Sequence, residues 1–94
     1  MIRYKEITLD TENYEVLVGT DEVSLTSREF EILKLLLENP GKVFSRESLL
    51  DSVWGYEYYG DQKIVNTHIK NIRKKLGVDY IETIRGVGYR IDEE

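Results

Sequence analysis

Residues 26–39 constrain what this chain can fold into more than any other stretch. The first four, TSRE, have the spacing of a capping box, in which a hydroxyl and a later glutamate pair with backbone N–H groups that a helix leaves unbonded. Apolar residues follow at helical spacing until Pro40 ends the helix. Three consecutive leucines at 35–37 predict burial on most sides, so the remaining elements have to pack around this helix. We interpret Glu29 as a capping residue, with an ion pair to a basic side chain as the alternative.

Two further helices are predicted after the first. Ser45 is an N-cap for a second helix that reaches about Trp54. We expect the Trp54 side chain to pack at the end of that helix or in the core. Asp61 is an N-cap for a third helix over residues 61–76. Gly77 ends that helix, because glycine readily adopts the left-handed conformation found after a last helical turn.

Short β-like segments lie on either side of the helices. Before them, polar and apolar residues alternate in four pieces typical of an antiparallel meander, at residues 2–4, 7–9, 14–18 and 23–25. After them, two β-like runs flank RGVG at residues 85–88, which predicts a hairpin over 80–91. Glycines between two strands favour a tight turn over a nucleotide-binding loop. We predict a single α+β domain, with a sheet in 1–25, three helices in 26–77, and a hairpin and tail in 78–94.

Composition excludes several classes of protein. The chain has 94 residues, no cysteine and one histidine, His68. A disulfide framework, a thiolate metal site and a zinc site built on paired histidines are therefore excluded. No nucleophile, metal or cofactor constellation is visible, so we expect neither enzymatic activity nor a cofactor. No run approaches the length of a membrane span, and we expect a cytoplasmic protein without membrane contact.

Charge is distributed unevenly along the chain, whose formal net charge is −5. Residues 1–61 carry six basic and thirteen acidic side chains, and residues 77–94 carry two basic and five acidic ones. Residues 62–76 carry five basic side chains and no acidic one. The third helix therefore concentrates positive charge within an acidic domain.

On a helical wheel the third helix has one apolar stripe and one polar face. The stripe, which we expect to be buried, consists of Val65, Ile69, Ile72 and Leu76. The opposite face combines cations, an amide and a hydroxyl, contributed by Lys63, Thr67, Lys70, Asn71 and Lys74. The residues that flank this face are Ile64, His68 and Lys75 on one side, and Asn66 and Arg73 on the other.

The polar face suits a DNA duplex. Lysine and arginine contact phosphates, asparagine pairs with adenine through two hydrogen bonds, and threonine or isoleucine contacts the thymine methyl group. A solvated basic surface is one alternative, and an RNA or an acidic protein would use similar charges. The absence of acids over fifteen residues favours contact with DNA.

Three segments, in order, resemble a known family. LTSREFEILKLLLENPGKVFSRESLLDSVWG, VNTHIKNIRKKLG and IETIRGVGYRI are similar to the winged-helix DNA-binding domain of OmpR/PhoB-type response regulators, and the resemblance runs from about Ile2 to Ile91. It implies a winged helix-turn-helix with an N-terminal four-stranded antiparallel sheet, three helices and a C-terminal β-hairpin wing. It also implies that helix 61–76 is a recognition helix in the major groove, and that the hairpin reaches a neighbouring minor groove.

The resemblance also implies roles for individual residues. The residues at positions that face bases are Ile64, Asn66, Thr67 and Asn71. The residues at positions that contact phosphate, or support that contact, are Lys63, His68, Lys70 and Arg73, and the outward-facing Lys74 joins them. For His68, a place on the helix flank without any contact is the alternative. Arg85 matches the wing arginine that enters the minor groove, and a solvated turn residue is the less favoured alternative.

The resemblance further implies that the tyrosine-rich loop at residues 55–60 lies where the family contacts RNA polymerase. The candidates for that contact are Tyr56, Glu57, Tyr58 and Tyr59. Packing on the sheet and stabilisation of the turn are the alternatives for the tyrosines.

Two residues depart from the family pattern. Asn71 stands where an arginine that reads guanine is common, and Asn66 stands where an aspartate that suits cytosine is common. Both differences predict a half-site that leans toward A·T base pairs.

The resemblance also implies partners. Family members bind direct-repeat half-sites as dimers, so a second copy on duplex DNA is expected. A receiver domain and a sensor kinase are expected with the full-length protein, and the start of the chain at the first strand favours excision over a domain that stands alone. A protein–protein adaptor is the alternative function, because the N-terminal part is acidic. Steeply salt-dependent duplex binding would separate the two.

Overall fold

The computed structural model describes residues 1–56, 58 and 60–93. Its elements, in chain order, are β1 (Ile2–Tyr4), β2 (Ile7–Asp10), β3 (Glu15–Val18), β4 (Asp21–Val23), α1 (Ser27–Glu38), β5 (Phe44–Ser45), α2 (Arg46–Val53), α3 (Lys63–Leu76), β6 (Ile81–Ile84) and β7 (Gly88–Ile91). This order confirms the predicted winged helix-turn-helix with its N-terminal sheet, three helices and C-terminal hairpin. Within the described ranges, no helix is long and apolar enough to cross a membrane.

The strands β1 to β4 form an antiparallel sheet in sequence order, as the alternating pattern predicted. Leu9 lies opposite Val16 in the register, and both side chains are buried in the core. The fourth strand was predicted at residues 23–25 but lies at Asp21–Val23. Gly19 has a positive φ of 63° in a tight turn, so strand pairing resumes directly, with Asp21 opposite Val18.

Helix α1 forms the centre of the core. The predicted capping box is present: Thr26 Oγ1 accepts from the backbone N–H of Glu29 at 3.3 Å, and the Glu29 carboxylate accepts from the N–H of Thr26 at 2.9 Å. Leu35 is only partly buried, so the helix is covered on most sides but not on all. The helix packs against α2, α3, β1 and β7 through side chains that are at most 6% exposed, namely Phe30, Ile32, Leu33, Leu36 and Leu37.

The C-terminal hairpin is hydrogen-bonded to the start of α2. Strand β7 lies between β6 and β5, and Phe44 and Ser45 of β5 pair with Tyr89 and Gly88. Ser45 also caps α2, since its Oγ accepts from the N–H of Ser48 at 3.0 Å. This pairing, which the sequence did not predict, fixes the hairpin next to the helices α2 and α3.

Helix α3 begins later than predicted, at Lys63 and not at residue 61. The Asp61 carboxylate still accepts from the N–H of Lys63 at 2.9 Å. The Asp61 carbonyl accepts from the N–H of Ile64, three residues on, so the entry turn is tighter than an α-helix. The regular helix therefore starts two residues after the capping aspartate. Gly77 ends it with a φ of 71°, as predicted.

Candidate nucleic-acid interface

Helix α3 buries one face and presents the opposite face to solvent. The predicted apolar stripe is confirmed, since each of its side chains is at most 6% exposed: Val65, Ile69, Ile72 and Leu76. The outward face carries three exposed lysines, Lys63, Lys70 and Lys74, together with exposed Thr67 and half-buried Asn71. Within residues 1–56, 58 and 60–93, none of the three lysines forms an ion pair. Their ammonium groups are therefore available to an external anion.

Arg73 connects α3 to the base of the hairpin. Its Nε donates to Asp79 at 3.0 Å, and its Nη2 donates to Thr83 Oγ1 at 2.9 Å and to the carbonyl of Ile81. The guanidinium also lies 5.8 Å from the centroid of the Tyr89 ring. Of the two roles that the sequence predicted for Arg73, the geometry favours support of the interface over direct phosphate contact.

Lys75 points away from the outward face and pairs with α1. Its Nζ donates to Glu29 Oε1 at 2.7 Å, and the Glu29 side chain is almost fully buried. Glu29 therefore has both predicted partners, the capped backbone and a basic side chain. Burial alone would raise the pKa of Glu29. The hydrogen bonds from Lys75 and Thr26 have the larger combined effect, so the pKa lies below the ordinary value of 4.5.

We expect Glu29→Gln to lower the free energy of unfolding by about 1 kcal/mol at neutral pH, since glutamine keeps the cap but loses the charge paired with partly exposed Lys75. The folded-state pKa is lowered, so this stabilisation exists above about pH 4.5 and is lost as the pH falls through the folded-state value. Urea unfolding at several pH values measures it. The control is Glu82→Gln, which breaks the exposed pair with Arg90. If the Glu29→Gln variant remained less stable than the wild type at acidic pH, by the same free energy of unfolding as at neutral pH, the prediction would be wrong.

His68 and Ile64 lie on the flank of α3 that faces the end of α2. The Nδ1–H of His68 donates to the carbonyl of Ile64 at 2.8 Å, and the ring meets Trp54 edge-on with centroids 5.0 Å apart. Nε2 is then the remaining polar atom of the ring. Ile64 is half-buried against the core, so less of it is available to a base than the sequence predicted. Trp54 packs at the end of α2, as predicted, with Arg28 5.1 Å from its ring centroid.

A cleft of about 200 Å³ separates α3 from the hairpin turn. Asn66 lines it from α3, Arg85 lines it from the exposed turn, and Arg46 lines it from the first turn of α2. The structure therefore brings Asn66 and Arg85 to one edge of the outward face. Arg46 was not predicted as a site residue, although its place directly after the N-cap Ser45 is visible in the sequence.

Tyr89 is a second residue that the sequence did not single out. Its hydroxyl donates to Asn66 Oδ1 at 2.6 Å from the floor of the cleft. No local signal points to this contact, because the two residues are 23 positions apart. The part of the chain that the structure describes contains no cluster of three or more His, Cys, Asp or Glu side chains that could hold a metal.

The loop between α2 and α3 carries the predicted tyrosines. Tyr56 is 86% exposed, whereas Tyr58 is 37% exposed with its ring 6.1 Å from that of Trp54. Glu57 and Tyr59, which were predicted with them, lie outside the described residues. Tyr58 therefore packs in part on the end of α2, and Tyr56 is the more accessible of the two.

Comparison with known proteins places this geometry in a family. The family model "Transcriptional regulatory protein, C terminal" matches residues 20–91. The chain belongs to this family. It is 48% identical over 91 residues to the regulatory protein VanRB of Enterococcus faecalis, covering 97% of this chain but 41% of VanRB. The chain thus spans less than half the length of that curated relative.

Solved structures of response regulators share the fold. DrrB, an OmpR/PhoB homologue from Thermotoga maritima, superposes with a TM-score of 0.87 at 38% identity, over 97% of this chain and 43% of that one. The DNA-binding domain of the response regulator AdeR, solved in complex with an intercistronic region, superposes with a TM-score of 0.87 at 31% identity, over the whole of both chains. The chain is therefore an OmpR/PhoB-type C-terminal domain, as its sequence predicted.

Proposed function

We propose that this OmpR/PhoB-type domain binds duplex DNA sequence-specifically, as the effector domain of a two-component response regulator that controls transcription. The observation that carries the proposal is the outward face of α3, where three lysines without ion pairs in the described structure alternate with uncharged polar groups. The helix contains no acidic residue. A carboxylate on this face would meet phosphate and oppose binding. The AdeR domain, which was solved with DNA, supports the assignment.

In this proposal α3 lies in the major groove. Its 14 residues span about 21 Å at 1.5 Å per residue, and a helix of ordinary diameter fits that groove. The residues proposed to read bases are Ile64, Asn66, Thr67 and Asn71. The residues proposed to contact phosphate are Lys63, His68, Lys70 and Lys74, with Arg73 holding the hairpin in place for them.

The hairpin acts as the wing in this proposal, and Arg85 enters the minor groove. Arg85 is exposed at the tip of the hairpin, in a turn closed by the N–H of Val87 and the carbonyl of Ile84. The pairing of β7 with β5 anchors the hairpin to α2, so the tip keeps a defined position relative to α3. A cation held at that position matches the negative potential of a narrow minor groove.

Selection of bound sequences from a pool of random duplexes tests the proposal directly. We expect a recovered site built of direct repeats, each leaning toward A·T base pairs, and affinity that falls steeply as salt rises. A G·C-rich half-site would contradict the proposed pairing of Asn71 with adenine. Undetectable affinity for any duplex at low salt would overturn DNA binding and favour a protein–protein adaptor.

Asn71→Ala is expected to reduce affinity for the selected site by about 1–3 kcal/mol and to relax the preference at one base pair, because the amide would lose two hydrogen bonds to a base. Lys70→Ala, one position away, is the matched comparison. It should weaken all duplexes equally and lower the slope of log affinity against log salt by about one. Titration of selected and random duplexes at several salt concentrations measures both effects. Equal losses on the two duplexes for both variants would rule out base reading by Asn71.

The proposal also includes macromolecular partners. A second copy would occupy the neighbouring half-site, and RNA polymerase would contact the loop at residues 55–60, where Tyr56 is the most exposed described side chain. In the full-length protein, a receiver domain phosphorylated by a sensor kinase would control dimerisation.

A further inference from the structure

The hydroxyl of Tyr89 and the side-chain carbonyl of Asn66 join the wing to α3 at the edge of the outward face. Tyr89 donates to Asn66 Oδ1 at 2.6 Å. The Tyr89 residue is only 7% exposed, strand pairing sets it opposite Phe44, and the Arg73 guanidinium lies against its ring. Packing therefore holds the ring in place and directs its hydroxyl at Asn66.

A side-chain amide has two chemically different ends, since its carbonyl oxygen accepts hydrogen bonds and its NH2 group donates them. In Asn66 the carbonyl end accepts from Tyr89, so the NH2 end is the one that remains for a ligand. Asn71 makes no side-chain hydrogen bond within the described residues and can present both ends. The two asparagines of α3 are therefore not equivalent.

We propose that Tyr89 is a positioning residue that makes Asn66 a hydrogen-bond donor only toward the major groove. This inference rests on the proposed function, because it takes Asn66 to face a base. In the major groove guanine and thymine offer only acceptors, at N7 and O6 and at O4, whereas adenine offers the acceptor N7 beside the donor N6, and cytosine offers only the donor N4. Asn66 therefore favours guanine or thymine and disfavours cytosine at the base it contacts.

The same orientation removes one contact that the sequence predicted for Asn66. Pairing with adenine through two hydrogen bonds needs the amide carbonyl to accept from N6, and in Asn66 that oxygen accepts from Tyr89. Asn71 keeps both ends available for adenine. The A·T preference is therefore assigned to Asn71, and Asn66 distinguishes guanine and thymine from cytosine.

Tyr89→Phe tests the positioning role, because phenylalanine keeps the buried ring and removes only the hydroxyl. Without it the Asn66 amide can turn either end outward. We expect sequence selection with the variant to recover the same site with a broadened preference at one base pair, and affinity for the wild-type site to fall by roughly 2–10-fold. The matched control is Tyr14→Phe, which removes a hydroxyl bonded to Glu31, away from α3. It should leave the selected site unchanged, and urea unfolding of both variants shows that each is folded.

Asn66→Asp provides a second, independent readout. Tyr89 can still donate to one carboxylate oxygen, and the other oxygen then faces the groove as an acceptor. We expect the base preferred at that same position to change to one with a donor, cytosine or adenine.

The outcomes distinguish the positioning role of Tyr89 from DNA binding by the domain as a whole. Broadening in Tyr89→Phe and inversion in Asn66→Asp at one shared base pair support the positioning role. An unchanged site in Tyr89→Phe, or changes at two different base pairs, overturns that role while leaving DNA binding intact. A wild-type domain that selects no sequence at all overturns the proposed function itself.

Discussion

Gly88→Ala is expected to lower the free energy of unfolding by about 3 kcal/mol, within the range for overpacking at a site that cannot relax. An alanine Cβ at this position would lie 1.9 Å from the carbonyl oxygen of Phe44 and 2.8 Å from the Cα of Ser45. Both are backbone atoms of the strand that pairs with Gly88, so no side chain can turn aside to make room. Relief requires that β5 and β7 separate, which would detach the wing from the start of α2.

Gly86→Ala is the matched control in the same hairpin. Gly86 has a φ of 76°, so alanine is strained there, but its Cβ would meet nothing within 4 Å. That strain costs about 1–2 kcal/mol without disturbing the strand pairing. Urea unfolding of both variants measures the difference. If the two variants lose equal stability, the steric argument for Gly88 is wrong, because only Gly86 has the positive φ that strains an alanine.

Much of the fold was predictable because its signals are local in sequence. The capping box from Thr26 to Glu29, the cap at Ser45 and the left-handed Gly77 each involve residues within one helical turn. The spacing of the apolar residues within α3 was likewise enough to predict which stripe of that helix is buried. Helix caps and the buried face of a helix depend on residues within a few positions of one another, so the sequence alone is enough to predict them.

The contacts that the sequence did not reveal join distant parts of the chain. Strand β5 has two residues, too few to show a period, and it pairs with a strand more than forty residues later. The sequence placed Arg73 on a flank of the outward face and left its role open between phosphate contact and support, because its partners Asp79 and Thr83 reach it only in the fold. Helix periodicity places Asn66 on a flank but says nothing about the hydroxyl of Tyr89 that orients it.

Replacing Lys63, Lys70 and Lys74 together by glutamine is expected to weaken binding to any duplex by about 100- to 1000-fold near 0.1 M salt. Each phosphate contact adds about 0.9 to the slope of log affinity against log salt, so the loss of three lowers the slope by nearly three. Glutamine keeps the length and helix propensity of lysine, so α3 should remain folded. Fluorescence anisotropy with selected and random duplexes, at several salt concentrations, measures affinity and slope together.

The matched control removes the same charge elsewhere, from Lys5, Lys34 and Lys42, none of which lies on α3. If net charge alone governed binding, the two triple variants would lose equal affinity, because each makes the domain more acidic by three charges. If the lysines of α3 contact phosphates, the control should lose no more than a few-fold and keep the wild-type slope. Equal losses and equal slopes would therefore show that the positive face of α3 is not the docking surface. A lowered slope confined to the α3 variant would locate the phosphates on that face, independently of which bases the asparagines read.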